Sequence, residues 1–224
     1  CGHGRVGEMA VSELIDQDTM VVILEKDEQK CEILRKEGFL VIYGDATNDE
    51  NLEKAGIDKA KALIATMPVD AHNLYVILSA RVKNEKILLI SRASQINSVK
   101  KLKVAGADNV IMPDKVGGAH MASLVAMPDV VEFLDHIRIQ GGDSINLEEI
   151  PMNQFPNHIS KSTLGDIIEN DKSGVNVVGI RSPNGEYKIN PGPGTLLEDG
   201  CKLFVLGTSE QINSLNTRLK FEQV

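Results

Sequence analysis

Apolar residues come in short runs along the first half of the chain, separated by longer stretches where they recur every three or four positions. The runs at 20–25, 39–42, 62–65, 87–90 and 110–111 read as strands, apolar on both faces as in a covered parallel sheet. The stretches between them carry helical periodicity. Helices are expected over 6–15, from a cap at Asp27 to residue 36, over 52–55, over 71–82 and over 99–105. Gly38 and Gly106 stand where a helix stops in the left-handed conformation. Repeated strand–helix units of this length predict a doubly wound parallel sheet with right-handed crossovers.

The pattern changes after Met112-Pro113. Residues 118–126 and 129–136 read as two helices broken at Pro128, whose missing N–H stops or kinks the chain. Their apolar residues (Met121, Leu124, Val125, Val130, Val131, Phe133, Leu134 and Ile137) exceed what one face of a hairpin hides. They either pack on their own domain or form a partner surface, and the second reading is favoured because a finished sheet has little left to cover them. Gly141-Gly142 marks a boundary. Beyond it, strands are expected at 145–150, 175–181, 186–189 and 202–206, and helices at 163–169 and 210–219. Pro183-Asn184-Gly185 reads as a hairpin turn, and Pro191 to Gly194 as a rigid loop. The expected class is α/β: a Rossmann-like sheet over 1–113, a helical crossover over 114–143, and a small α+β lobe over 144–224.

The chain opens on Cys1-Gly2-His3-Gly4-Arg5-Val6-Gly7, a complete G-x-G-x-x-G, with Glu25 at the end of the next strand. In a dinucleotide fold the glycines permit a tight turn, close backbone approach to a phosphate and helix–sheet packing, while the acid accepts from a ribose hydroxyl. The phosphate rests on free N–H groups at the helix start. Such a motif normally follows a strand, yet residue 1 already lies in the turn. With no initiator Met, the expectation is a fragment whose first strand and upstream part are missing.

Gly2, Gly4, Arg5, Gly7, Glu25, Asp45 and Thr66 are therefore the candidate nucleotide-binding residues. Each has a plainer reading: Glu25 as a solvated strand-end carboxylate, Arg5 as an exposed first-turn arginine, Asp45 as a turn aspartate. Thr66-Met67 and Ser91-Arg92 end strands at the edge where open sheets bind ligands, or are ordinary strand-end polarity.

Charge and composition narrow the function. A net charge of −8 argues against broad nucleic-acid contact. The cluster Lys100-Lys101 with Lys103 reads as a solvated helix face. No stretch approaches the ~20 apolar residues of a membrane helix. Cys1, Cys31 and Cys201 are widely spaced and odd in number, which fits free thiols rather than a disulfide frame or zinc site. The five histidines show no metal-ligand spacing, so no metal is expected. There is no G-x-S-x-G or H-E-x-x-H, and His158, beside Pro156, reads as a surface loop residue rather than a general base. A nucleotide site without a substrate site predicts a sensor, not an enzyme.

The opening heptad, Gly44-Asp45-Ala46-Thr47, the segment Ala105 to Ile111 and the helix at 118–127 together resemble the regulator of K⁺ conductance family, also called RCK or KTN. The last lobe resembles its TrkA-C partner domain through Gly174 to Ile180, Ile189-Asn190-Pro191 and Lys202 to Gly207. The resemblance implies homodimers joined through the crossover at 118–137. It further implies an octameric ring on the cytoplasmic face of a membrane pore domain, with NAD(H) or ATP/ADP as ligand. At the positions where calcium-gated members carry carboxylates, this chain has Thr66, Ser91 and Ala93, which removes that calcium site. Cys201 stands where the family often has an acid. A potassium-channel gating domain is expected, with a separate regulatory subunit of a Trk/Ktr-type transporter as the alternative. From another class, a small NAD-dependent oxidoreductase is the competing reading.

Overall fold

Helix α1 (Arg5–Asp16) starts at the second glycine of the motif, and everything that positions the candidate site follows from that start. The computed structural model describes residues 1–135, 137–138, 145–154, 162–168 and 173–221. The chain divides into two compact units, Cys1–Ala122 and Ser123–Val224. His136, His158 and the boundary glycines 141 and 142 lie outside the described residues.

In the first unit α1 is followed by β1 (Val22–Glu25), α2 (Glu28–Lys36), β2 (Leu40–Tyr43), α3 (Asp49–Lys54) and β3 (Ala62–Ala65). Then come α4 (Asp70–Lys83), β4 (Leu88–Arg92), α5 (Ile96–Val104) and β5 (Asn109–Ile111), and α6 (Pro113–Ala126) runs across the division after Ala122. All strand pairs are parallel. They form two pieces, β1 with β2 and β3-β4-β5, rather than one unbroken sheet. The backbone of Cys1 and Gly2 seams them. The Gly2 N–H donates to the Leu24 carbonyl at 2.8 Å, the Cys1 nitrogen donates to Ile64 at 2.8 Å, and the Thr66 N–H donates to Cys1 at 3.0 Å. The order across the seam is thus β2-β1, then Cys1-Gly2, then β3-β4-β5. This seam is a switch point, where open α/β sheets leave a crevice at the carboxyl ends of the strands.

The core beneath the crevice is aliphatic. Leu63, Ala65, Val76, Ile77, Ala80, Leu89 and Leu102 are buried between the three-stranded sheet and its helices. Local signals start the helices as expected at Asp27, whose side chain accepts from the Lys30 N–H at 3.1 Å. Others start earlier than the pattern predicts. Helix α3 begins at Asp49 because Asn48 caps it, accepting from the Glu50 N–H at 3.0 Å. Helix α6 begins at Pro113 rather than 118, since proline needs no partner for its nitrogen at the first helical position.

The second unit holds α7 (Pro128–Asp135), β6 (Ile137–Arg138), β7 (Ile145–Pro151), a single 3-10 turn (Met152–Gln154) and α8 (Leu164–Ile168). The hairpin strands β8 (Asn176–Arg181) and β9 (Tyr187–Ile189) follow, then β10 (Lys202–Gly207) and α9 (Ser209–Phe221). The sheet runs β6-β7-β10-β8-β9, with only β6–β7 parallel. The two-residue β6 and the 3-10 turn are too short to leave a periodic signal. Leu203 and Val205 of the central strand pack with Ile150, Leu164, Ile167, Ile212 and Leu215. Cys201 lies in that core, where burial pushes its thiol up.

The helical segment keeps much of its apolar surface in solvent. Val125 is 86% exposed, Met121 65% and Phe133 62%, whereas Val131 is buried at 6%. No helix among the described residues is long and apolar enough to cross a membrane.

Candidate functional site

The glycine loop is shaped by contacts that exclude side chains. Gly2 has φ +84°, a left-handed conformation that glycine adopts freely. At Gly7 a Cβ would lie 2.2 Å from the Gly2 carbonyl oxygen and 2.9 Å from the Thr66 hydroxyl, so α1 packs here backbone to backbone. Gly4 is the N-cap of α1, with no side-chain cap and open space around the position of its missing Cβ. The first N–H groups of α1 lack intrahelical partners and carry the positive end of the helix dipole. Open space before free N–H groups suits an anion.

Glu25 ends β1 and turns its carboxylate onto the same loop. One oxygen accepts the His3 N–H at 2.7 Å, the other the N–H groups of Lys26 at 2.8 Å and Asp27 at 3.0 Å. Lys30, on the first turn of α2, donates to the His3 carbonyl. Burial pushes the Glu25 carboxyl up, but the three N–H donors and the Lys30 charge outweigh it, leaving the group below its ordinary 4.5. Glu25 is thus an anion stapled to the glycine loop.

Asp45 follows β2. One of its oxygens accepts from the Thr47 N–H at 2.8 Å and the Thr47 hydroxyl at 2.7 Å, and these bonds hold its carboxyl below the usual range. Thr66 is buried, and its hydroxyl reaches the Gly2 carbonyl at 2.7 Å and the Cys1 carbonyl at 3.1 Å. Its side chain therefore serves the loop and the seam.

These residues share one cleft of about 830 Å³, lined by Gly2, Gly4, Arg5, Glu25, Asp45 and Thr66. Gly7 lies just behind the lining. The volume is within the range of about 300–1,000 Å³ common for small-molecule sites. The cleft also includes Met67 and Arg92, placed by the sequence at strand ends facing the crevice, and His3, Lys26, Lys30, His72 and Asp114, which the sequence did not mark as candidates. Lys30 could have been found from the Asp27 cap, because the first turn of a helix that leaves a strand end faces the crevice. His72 and Asp114 occupy the corresponding turns of α4 and α6. Ser91 is buried and donates to the Arg92 carbonyl at 3.0 Å. The lining carries both cations (Arg5, Lys26, Lys30, Arg92) and acids (Glu25, Asp27, Asp45, Asp114). Among the described residues no three His, Cys, Asp or Glu side chains converge as a metal site.

Comparison with known proteins gives this geometry a family context. Residues 1–113 match the TrkA-N domain and residues 155–220 the TrkA-C domain. The "Probable potassium channel protein 2" of Methanocaldococcus jannaschii is 34% identical over 98% of this chain. The chain spans 66% of that relative's length. The "Trk system potassium uptake protein TrkA homolog" of Methanothermobacter thermautotrophicus is 30% identical over 97% of this chain and 96% of its own. Among solved structures, the GsuK channel bound to NAD is 27% identical, with a TM-score of 0.51, covering 97% of this chain and 37% of that one.

Proposed function

The chain belongs to the regulator of K⁺ conductance family, with its TrkA-N and TrkA-C domains, and from that premise we propose that it is the nucleotide-sensing regulatory part of a potassium channel. The observation that carries the ligand class is the Glu25 carboxylate held against the glycine loop, with the free N–H groups of α1 beside it. In this reading Glu25 accepts from a ribose hydroxyl and the start of α1 holds the phosphates. Arg5 neutralises phosphate charge, and Asp45 faces the adenine. The NAD carried by the GsuK channel supports NAD(H), and an adenine mononucleotide satisfies the same groups.

The site binds rather than turns over. Backbone N–H groups hold Glu25, and Thr47 holds Asp45, as anions below the usual carboxylate range, far from the near-neutral pKa of an efficient general acid or base. Calorimetric titration of NAD⁺, NADH, ATP and ADP tests the reading, and saturable micromolar binding of at least one is expected. Heat from none of the four would overturn it, and steady oxidation of NADH with a small carbonyl substrate would restore the oxidoreductase class.

The exposed apolar residues of α6 and α7 form the homodimer contact, and dimers assemble into an octameric ring under the pore domain at the cytoplasmic face. A ligand acts through its difference in affinity between open and closed rings. A preference of about twofold per site, ~0.4 kcal/mol, summed around an octamer gives about 3 kcal/mol, enough to move a gate population roughly a hundredfold. Light scattering should report a dimer or larger for the native chain. The double variant Val125→Glu with Phe133→Glu should report a monomer, since both side chains are largely exposed and can change without touching the core. A native monomer at tens of micromolar would sink this contact.

A second reading, a separate regulatory subunit of a Trk-type uptake system, draws on the Methanothermobacter relative matched over nearly its whole length. The gene sequence upstream of Cys1 separates the two. A pore segment with a selectivity filter means a channel, and a start codon a few residues earlier means a subunit.

A further inference from the structure

Asn73 sits inside α4, fully buried at 0% exposure, beside the aliphatic residues Val76, Ile77 and Ala80. Asparagine is a poor choice for such a place, because a buried amide must find partners and an aliphatic side chain would pack without that demand. Its partners are all backbone groups of the cleft floor. The Met67 N–H donates to Asn73 Oδ1 at 3.0 Å, and Asn73 Nδ2 donates to the Met67 carbonyl at 2.9 Å and the Arg92 carbonyl at 3.2 Å. Met67 lies beyond the end of β3, so its peptide groups have no ladder partner and depend on this amide. Arg92 is the last residue of β4. One side chain therefore fixes the exits of two strands.

Both exits line the cleft. Met67 also approaches the glycine loop closely, with its Cγ 3.1 Å from where a Cβ on Gly2 would stand. A shift of a few tenths of an ångström at Met67 either presses on Gly2 or opens the floor beneath the phosphates. We propose that Asn73 is a positioning residue for nucleotide binding, setting the distance between the glycine loop and the floor made by Met67 and Arg92. The proposal rests on the nucleotide reading of the cleft given above. It makes a selective prediction: ligands that extend past the glycine loop depend on Asn73, whereas adenosine, held at Glu25 and Asp45, does not.

The test measures NAD and adenosine affinities for the native chain, Asn73→Asp and Asn73→Ser, with thermal unfolding recorded for each. Aspartate keeps the acceptor for Met67 but sets a carboxylate oxygen against two carbonyls, and serine is too short to span the gap. Expected are a tenfold or greater weakening for NAD in both variants and less than threefold for adenosine. Equal weakening of the two ligands, or none, would overturn the positioning role while leaving the nucleotide reading intact. Failure of the native chain to bind NAD overturns both. Should the variants not fold, amide hydrogen exchange in the native chain decides. Saturating NAD should slow exchange of the Met67 N–H at least fivefold, and an unchanged rate rules the role out.

Discussion

Replacing Glu25 with alanine will weaken NAD binding by roughly tenfold to a hundredfold. A hydrogen bond to a charged group contributes about 1.5–3 kcal/mol net. The carboxylate already accepts three N–H groups, so the loss is one bond to a ribose hydroxyl, about 1.5–3 kcal/mol, and each 1.4 kcal/mol is about tenfold in affinity. The alanine also releases the N–H groups of His3, Lys26 and Asp27, so the loop loses its staple together with the ligand's acceptor. Glu25→Gln, which keeps an oxygen but not the charge, should fall between. The pH dependence follows from the same bonds. The ionised carboxylate is the form that accepts from ribose, and the folded chain holds its pKa below 4.5. Affinity should therefore stay level between about pH 7 and pH 5, then fall as the pH drops through the depressed folded value. Stability shares that sign: the contribution of Glu25 is present above its unfolded pKa and lost as pH falls through the folded one. An alanine variant that titrates like the native chain in the calorimeter sinks the ribose role.

Gly7→Ala should cost both fold and site. Its new methyl would stand 2.2 Å from the Gly2 carbonyl oxygen, well inside contact distance, and 2.9 Å from the Thr66 hydroxyl. Neither neighbour is a free end. Gly2 is in the seam between the half-sheets, and Thr66 is buried and bonded to it. Helix α1 must therefore back away from the sheet. Overpacking of this kind costs about 1–3 kcal/mol, and the broken seam bonds place this case at the upper end. A loss of about 3 kcal/mol lowers the midpoint of a unit this size by roughly 10 °C. Differential scanning calorimetry should show that drop in the first unit, with NAD binding too weak to measure. For the melting temperature alone, Gly4→Ala is the matched control, because its added carbon meets nothing within 4 Å. Equal melting temperatures for Gly7→Ala and the native chain would disprove the packing account.

The residues that sequence alone could find are those whose role is local. Glycines at fixed spacing and an acid at the next strand end state their geometry in the chain itself, so the heptad and Glu25 were readable together. Asn73 was not, because its partners at residues 67 and 92 meet only after two strands and a helix have packed. Thr66 was readable as a cleft residue by its place at a strand end, but its engagement with the Cys1 and Gly2 carbonyls is tertiary. The parallel strands were legible as apolar runs, with β3 at its observed limits. The start of α6 was not, because Met112-Pro113 looks like a break although proline serves well at a first helical position.

The chain's own bonds have a consequence in time. The loop is held at Gly2 by Leu24 and Thr66, and at His3 by Glu25. A nucleotide arriving at the proposed site meets a surface that needs no ordering, so association should run at ordinary orientation-limited rates of about 10⁵–10⁷ M⁻¹s⁻¹ or faster, without a lag. The delay of the response is then set by departure of the ligand. In the proposed regulatory role, such a site would follow a rise in nucleotide at once and forget it only as fast as its own off-rate allows.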